Sequence, residues 1–447
     1  MDHKQTTPSY RPAFAIDSFL NFSTQLLLFG LSFTSSIIIA RSLGPQGKGL
    51  YSLAILIPTL VASILNMGIN TSNVYFIGKG TFPTSRVVAN ALVYSFCVGS
   101  TATILLFFML PFLRNYLLKS NLDFYLYITI PMIPFLLAID NINYVFLGYR
   151  RILKLSVLRL IRSSVYVFLL VIFSSFITLS VYKVIIANIS GLILAILLGL
   201  YLLINNNYLT TLATDRQIFK ETIKFGYKLH LGVIFQLLNY RIDMLIIVVL
   251  MTKADLGLYS ISVLIAETIW YLPNSVAQVL YAKVASEEKK SANHFTPLVC
   301  RSVTLIIFLA CLILYGISGI VIPWLFTSQF LPSVMALKLL LPGILFLSIS
   351  KILTNDLAGR GFPQYGMIAS AMSLAVTIIF DLLLIPRFGI NGASLASSLS
   401  YIMHAAIILY FFRRTSNVKL IDIFICRRHD FFEYSRIINS LRILSRQ

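Results

Sequence analysis

Repeated apolar runs of about 20 residues constrain this chain most, because each is long enough to cross about 30 Å of hydrocarbon. Short links carrying Gly, Pro and charge separate them. Of the 447 residues, 58% are hydrophobic and only 12% are charged. That is about half the charge of a soluble domain. Backbone in lipid must satisfy its own polar groups, which leaves helices or a closed barrel. The runs show no strand-like alternation, so they predict helices. The expected fold is all-α and polytopic.

The runs predict twelve spans: 14–40, 50–77, 87–112, 124–147, 160–179, 184–204, 229–251, 257–281, 301–323, 334–357, 364–385 and 390–412. Gly44-Pro45, Pro323, Gly359 and Pro386 punctuate their ends. A net charge of +20 might suggest nucleic acid, but the basic residues collect in alternate links. Arg150, Arg151, Lys154, Arg159 and Arg162 crowd one link, and Arg427, Arg428 and Arg436 sit in the tail. Cytoplasmic loops carry such an excess, so both termini are expected inside, with Lys48 and Lys253 in outer links. No nucleic-acid partner is expected. The polar start leads into a first span that reads as retained. The tail, 413–447, suits an amphipathic helix on anionic lipid.

The stretch Gly49-Leu50-Tyr51-Ser52 recurs as Gly257-Leu258-Tyr259-Ser260, 208 positions later. That offset also pairs Asn66 with Asn274, Thr59 with Glu267 and Asn70 with Gln278. The reading is two six-helix lobes, 1–206 and 207–412, related as parallel repeats, followed by the basic tail 413–447.

Charges inside a span are expensive, and by default they mark a watery cavity or a site. The seventh span holds Gln236, Asn239 and Asp243 on one face, with Arg241 pointing nearly the opposite way. The eighth carries Glu267, Tyr271, Asn274 and Gln278 on one stripe; the second carries Ser63, Asn66, Asn70 and Asn73. Such stripes either hydrogen-bond helices together or line a cavity. Asp140, Lys351 and Asp356 complete the intramembrane charges, and Asp17 and Asp381 are expected at interfaces near span ends. Arg241 is expected either to pair with Glu267 or to serve an anion from the cavity.

Enzyme signatures fail. The run Gly44–Gly49 has neither the Gly nor the Ser or Thr that a phosphate loop needs at its ends. The five histidines are scattered, no GxSxG element occurs, and Cys97, Cys300, Cys311 and Cys426 lack metal-ligand or disulfide spacing. No catalytic residue, metal site or cofactor is expected.

Two stretches resemble the polysaccharide-biosynthesis flippases of the MATE-like exporter superfamily, the proteins that carry O-antigen and exopolysaccharide repeat units. One is ARSLGPQGKGLYSLAILIPTLVASILNMGINTSNVYFIGKG (40–80); the other, LAGRGFPQYGMIASAMSLAVTIIFDLLLIPRFGINGASLASSLSY (357–401), ends on an Ile-Pro-x-Phe-Gly-Ile-x-Gly-Ala pattern. RIDMLII followed by DLGLYS is similar to the family's seventh and eighth spans. The resemblance implies a central cavity opening alternately to each side. Its cargo would be an oligosaccharide on polyprenyl pyrophosphate, moved from the inner to the outer leaflet of the cell membrane. It also implies membrane lipids, a polysaccharide polymerase and chain-length machinery as partners. Arg241 and Lys351 would meet phosphate, and the Asn, Gln and Tyr stripes sugar hydroxyls. Relatives with fourteen spans flip peptidoglycan precursor, and twelve spans argue against that cargo. A cation-coupled multidrug exporter of the same superfamily is the second reading, with Asp140, Asp243, Glu267 and Asp356 as ion carriers. A membrane glycosyltransferase or polymerase is third, and it lacks the large outer loop such enzymes use.

Overall fold

The computed structural model describes residues 10–113, 123–286, 289–416, 418–419 and 421–424. These form helices α1 (Tyr10–Leu65), α2 (Ile69–Lys79), α3 (Thr84–Leu113), α4 (Asp123–Thr129), α5 (Ile133–Gly148), α6 (Ile152–Phe176), α7 (Val181–Asn205) and α8 (Arg216–Leu250). There follow α9 (Lys253–Thr268), α10 (Tyr271–Ser286), α11 (Lys289–Phe326), α12 (Ser333–Gly359), α13 (Gln364–Phe388), α14 (Ile390–Ser416) and the short α15 (Ile421–Phe424). No strand occurs among the described residues. The tail from 425 onward and the side chain of Asp17 lie outside the described residues.

Among the described residues ten helical stretches are long and apolar enough to cross a membrane, and α9 with α10 makes one more as a span bent by 44°. The first of the ten is two helices merged across a kink at Gly44 (φ 64°, ψ −173°). Counted as two, it brings the total to the twelve expected. Glycine accepts that left-handed φ without a Cβ clash, and Pro45 opens the second arm with its φ already helical. Both bends follow from local chemistry. Pro273 cannot donate to the turn before it, so α9 stops and α10 restarts. Met67 (φ 48°) and Gly68 (φ 77°) break the predicted second span between α1 and α2.

The Gly44 kink corrects one expectation. Lys48 is not a loop residue but lies in the helical turn after the kink, 6% exposed, its Nζ donating to Ser36 Oγ at 3.1 Å. A kinked helix has no link long enough to reach water, so this lysine folds back among its own helices.

The chain divides into two compact units. The first comprises Met1–Leu237, Ile247–Ser260 and Leu325–Phe330. Its core joins Val88, Ile142, Phe146, Leu158 and Leu203 from α3, α5, α6 and α7. A second cluster gathers Ile39, Ala54, Leu170 and Val184. Two glycine crossings close the unit. A Cβ on Gly49 would sit 1.7 Å from the Lys253 carbonyl oxygen, and one on Gly257 would sit 1.9 Å from that of Pro45. Both pairs are related by the 208-residue offset read from the sequence. Gly68 and Gly226 make the other crossing, each Cβ position 2.3–2.4 Å from the other's carbonyl oxygen. There Ser72 Oγ donates to Thr222 O at 2.7 Å.

The second unit comprises Leu238–Ile246, Ile261–Trp324 and Leu331–Gln447. In it α14 packs against α12 and α13 through small residues: Ser394, Ser397 and Ser400 are fully buried, and Gly343 admits Ser398 against the α12 backbone. Small residues let membrane helices approach closely where no hydrophobic force drives them together.

Candidate functional site

The middle of α8 supplies three polar side chains to the second unit. Asn239 is 1% exposed, and its Oδ1 accepts from Thr377 Oγ1 at 2.6 Å and Ser400 Oγ at 2.9 Å. Asp243, one turn on and also 1% exposed, accepts from the Met244 amide at 2.7 Å and from Ser397 Oγ at 3.1 Å. Arg241 points the other way, as the spacing predicts, and grips Glu267 of α9 with both arms, at 2.8 and 3.2 Å. The fork geometry suits a carboxylate bidentately. Arg241 and Glu267 side chains are 29% and 24% exposed. Charges so placed within spanning helices face the bundle interior or a water-filled cavity rather than lipid.

Beside this pair stands an aromatic box. Trp270, at the α9–α10 bend, lies 4.9 Å from the Tyr240 ring and 5.9 Å from Tyr401, ring centre to ring centre. Lys351 Nζ sits 4.5 Å from the Trp270 ring centre and 5.3 Å from that of Tyr240. No carboxylate lies within ion-pair distance of Lys351 among the described residues. The aromatic faces hold this cation by their negative quadrupoles. The two candidate cations therefore differ: Glu267 occupies Arg241, whereas Lys351 keeps its donors for another group.

Asp381 overturns the interfacial expectation. It is fully buried on α13, both carboxyl oxygens lack a hydrogen-bond partner among the described residues, and Asp243 is its charged neighbour. The reason lies in the helix end. Pro386 does not stop α13, which runs on to Phe388 and so sinks Asp381 about two turns deep. A buried carboxylate without a donor is stable only with a proton or a cation on it. The Ser397 hydroxyl is the side-chain donor on Asp243, while those of Thr377 and Ser400 go to Asn239.

Other predicted positions have partners of their own. Asp356 is tied to Arg360 at 2.6 Å and to Thr296 Oγ1 at 2.6 Å, both carboxyl oxygens being engaged. That makes it a structural ion pair, legible in sequence as an i, i+4 couple. The bend before α10 turns Tyr271 and Gln278 to exposed positions, and Asn274 is half-buried. In the first unit Gln236 is half-buried, and Asn66 Oδ1 accepts from the Asn70 amide at 3.3 Å across the α1–α2 break. Asn66 therefore ties the two sides of that break together. Asp140 belongs to a separate polar group of that unit, with Arg162 as its charged neighbour. Close by, Tyr51 OH accepts from Tyr166 OH at 2.8 Å and from Asn188 Nδ2 at 3.0 Å. Sequence reading missed Trp270, Tyr240, Tyr401 and Asp381; aromatic residues in apolar runs look like lipid-facing filler until the fold joins them.

The fold defines the class first. The structure is similar to a lipid II flippase, MurJ, in an inward closed conformation, with TM-score 0.76, 16% identity, and coverage of 90% of this chain and 88% of that one. It is also similar to an inward-facing MATE multidrug resistance transporter, with TM-score 0.72, 13% identity, and coverage of 90% and 98%. Both likenesses concern the fold: a multi-pass, all-helical transporter architecture. A family model described as "Polysaccharide biosynthesis protein" matches residues 38–335. The chain belongs to that polysaccharide-biosynthesis family of membrane proteins. Two relatives match locally: the uncharacterized membrane protein YabM of Bacillus subtilis, 37% identical over 79 residues, and MJ1068 of Methanocaldococcus jannaschii, 33% over 82. These stretches span 18% of this chain and only 15% and 16% of the two relatives.

Proposed function

We propose that the protein flips a polyprenyl-pyrophosphate-linked oligosaccharide, a polysaccharide repeat unit, from the inner to the outer leaflet of the cell membrane by alternating access. The observation that carries this reading is the Lys351–Trp270–Tyr240–Tyr401 box beside the Arg241–Glu267 pair. Sugars present apolar ring faces and hydroxyls, which aromatic residues with polar tips can meet. Lys351, held by rings rather than by a carboxylate, can give its three donors to a phosphate as a point charge. The lipid tail stays in the bilayer, so the chain needs a polar path only for the head. No bond is made or broken, and the protein acts as a carrier rather than an enzyme.

The buried Asp243–Asp381 pair favours cation or proton coupling as the source of drive, and it keeps the cation-coupled drug exporter as the second reading. Cells lacking the protein test the two. The flippase reading expects lipid-linked repeat units to accumulate on the cytoplasmic side and drug sensitivity to stay unchanged. Sensitisation to lipophilic cations without any such accumulation would favour the exporter.

The orientation rests on the Lys and Arg excess, with both termini cytoplasmic. Cysteine at the exposed Thr178 should be labelled from outside intact cells, and cysteine at the exposed Arg151 should not. The reverse pattern would invert the protein. A polysaccharide polymerase and its chain-length machinery are the expected partners downstream.

A further inference from the structure

A cavity outside the polar cluster's own residues lies in the first unit. Parts of α3 and α7 and the 206–215 link line an open cavity of about 610 Å³. Its walls are Leu92, Val93, Phe96, Leu200, Ile204 and Leu209. Thr210 and Thr211 line it at one end, where both backbone amides and the Thr210 hydroxyl meet Ser85 Oγ at 3.0–3.3 Å. Just beyond, Arg86, about half exposed, donates to Asp215 at 2.9 Å. The site is thus apolar along its length and polar only at that mouth.

The surroundings identify the occupant. Both helices are long and apolar enough to cross a membrane. Phe96, Leu197, Tyr201 and Ile204 are exposed on this side, and in a membrane helix exposed apolar surface faces hydrocarbon. An open, mostly apolar cavity takes up apolar matter, and here the bilayer supplies it. The volume lies within the range of small-ligand sites, which is about 300–1,000 Å³. A ligand with one long apolar chain and a hydrogen-bonding, charged end fits both the walls and the mouth.

We infer that this cavity is a phospholipid site, with one acyl chain between α3 and α7 and the headgroup at the polar mouth beside the half-exposed Arg86. The occupant is a bilayer lipid rather than the cargo's polyprenyl tail. Its position under the 206–215 link, which joins the two sequence repeats, means that a bound lipid braces that link.

The full-length protein, reconstituted in vesicles containing phosphatidylethanolamine with a photoreactive diazirine in one acyl chain, tests this. Cross-linked peptides should concentrate on 92–97 and 209–212, about tenfold above the exposed apolar face of α11 around Leu309, the ratio that 1.4 kcal/mol of preference gives. Leu200→Trp and Val93→Trp, which fill the cavity, should bring those peptides down to the α11 level, and Leu309→Trp should not. Cys97 provides a readout that needs no cavity variant. It is exposed and lines the cavity, while Cys300 and Cys311 are buried. With Cys426 replaced by Ser, maleimide should react with Cys97 about tenfold faster in delipidated detergent than after phosphatidylethanolamine is returned. Even cross-linking over all lipid-facing helices would overturn the site. So would protection of Cys97 by polyprenyl phosphate but not by phospholipid, or protection lost on removal of 425–447.

Discussion

Lys351 and Arg241 are both cations in spanning helices, and their partners predict opposite phenotypes. Lys351→Met removes the charge and keeps the stem, so it should abolish cargo movement while leaving the melting temperature nearly unchanged. Transport at the wild-type rate would sink Lys351 as the phosphate contact. Arg241→Ala leaves Glu267 without its partner. Breaking a fully buried pair costs about 3–5 kcal/mol; this one is partly exposed, so about 1–2 kcal/mol is expected after solvent screening. Removing both charges, Arg241→Ala with Glu267→Ala, should restore the stability. If the double variant is no more stable than the single, the pair does not hold these helices together. Asp215 adds a pH dependence at the membrane surface. The Ile218 amide first, then the Arg86 guanidinium, holds its carboxyl below the ordinary carboxylate range. A lowered folded-state value contributes stability above the unfolded value and loses it as pH falls through the folded one. The melting-temperature gap between wild type and Asp215→Asn should therefore be largest near neutral pH and shrink in acid. A gap that widened on acidification would contradict this.

The helices carry their own test at the glycine crossings. At Gly49 and Gly257 the backbones touch, and a single methyl would meet a carbonyl oxygen at under 2 Å. Gly49→Ala and Gly257→Ala should each separate α9 from the second arm of α1, slow transport, and speed alkylation of a cysteine placed at Lys253. Unchanged labelling in both would mean that the crossing is not needed for closure. This contact was half legible beforehand, since the repeated Gly-Leu-Tyr-Ser motif marked both glycines but not their meeting. Hydropathy located the spans because length and apolarity decide membrane crossing. It missed the kink that buries Lys48 and the break at Met67–Gly68, because both reside in backbone dihedrals that composition does not report. Asp381 was misplaced for a related reason: a proline near a predicted end was read as a stop, and α13 continues past it. The aromatic box was invisible for another, since Trp270, Lys351 and Tyr401 lie far apart in the chain and only helix packing joins them.

At the scale of the whole molecule, the family and the all-helical membrane fold support the proposal that the protein moves an amphipathic cargo. Under that proposal the Asp243–Asp381 pair would couple the movement to an ion. Asp381→Asn, which mimics the protonated carboxyl, should fold normally and move cargo down its gradient while no longer responding to a proton or sodium gradient. An unaltered ion response would remove the pair from coupling. The central claim is tested most directly in proteoliposomes holding a polyprenyl-pyrophosphate-linked oligosaccharide, with a membrane-impermeant lectin or glycosidase reporting which leaflet displays the sugar. The account predicts that wild-type protein exposes the inner-leaflet pool, and that Lys351→Met, at equal protein density, leaves it hidden. Sugar that stays hidden with wild-type protein, in vesicles where the same protein drives efflux of a lipophilic cation, would contradict it.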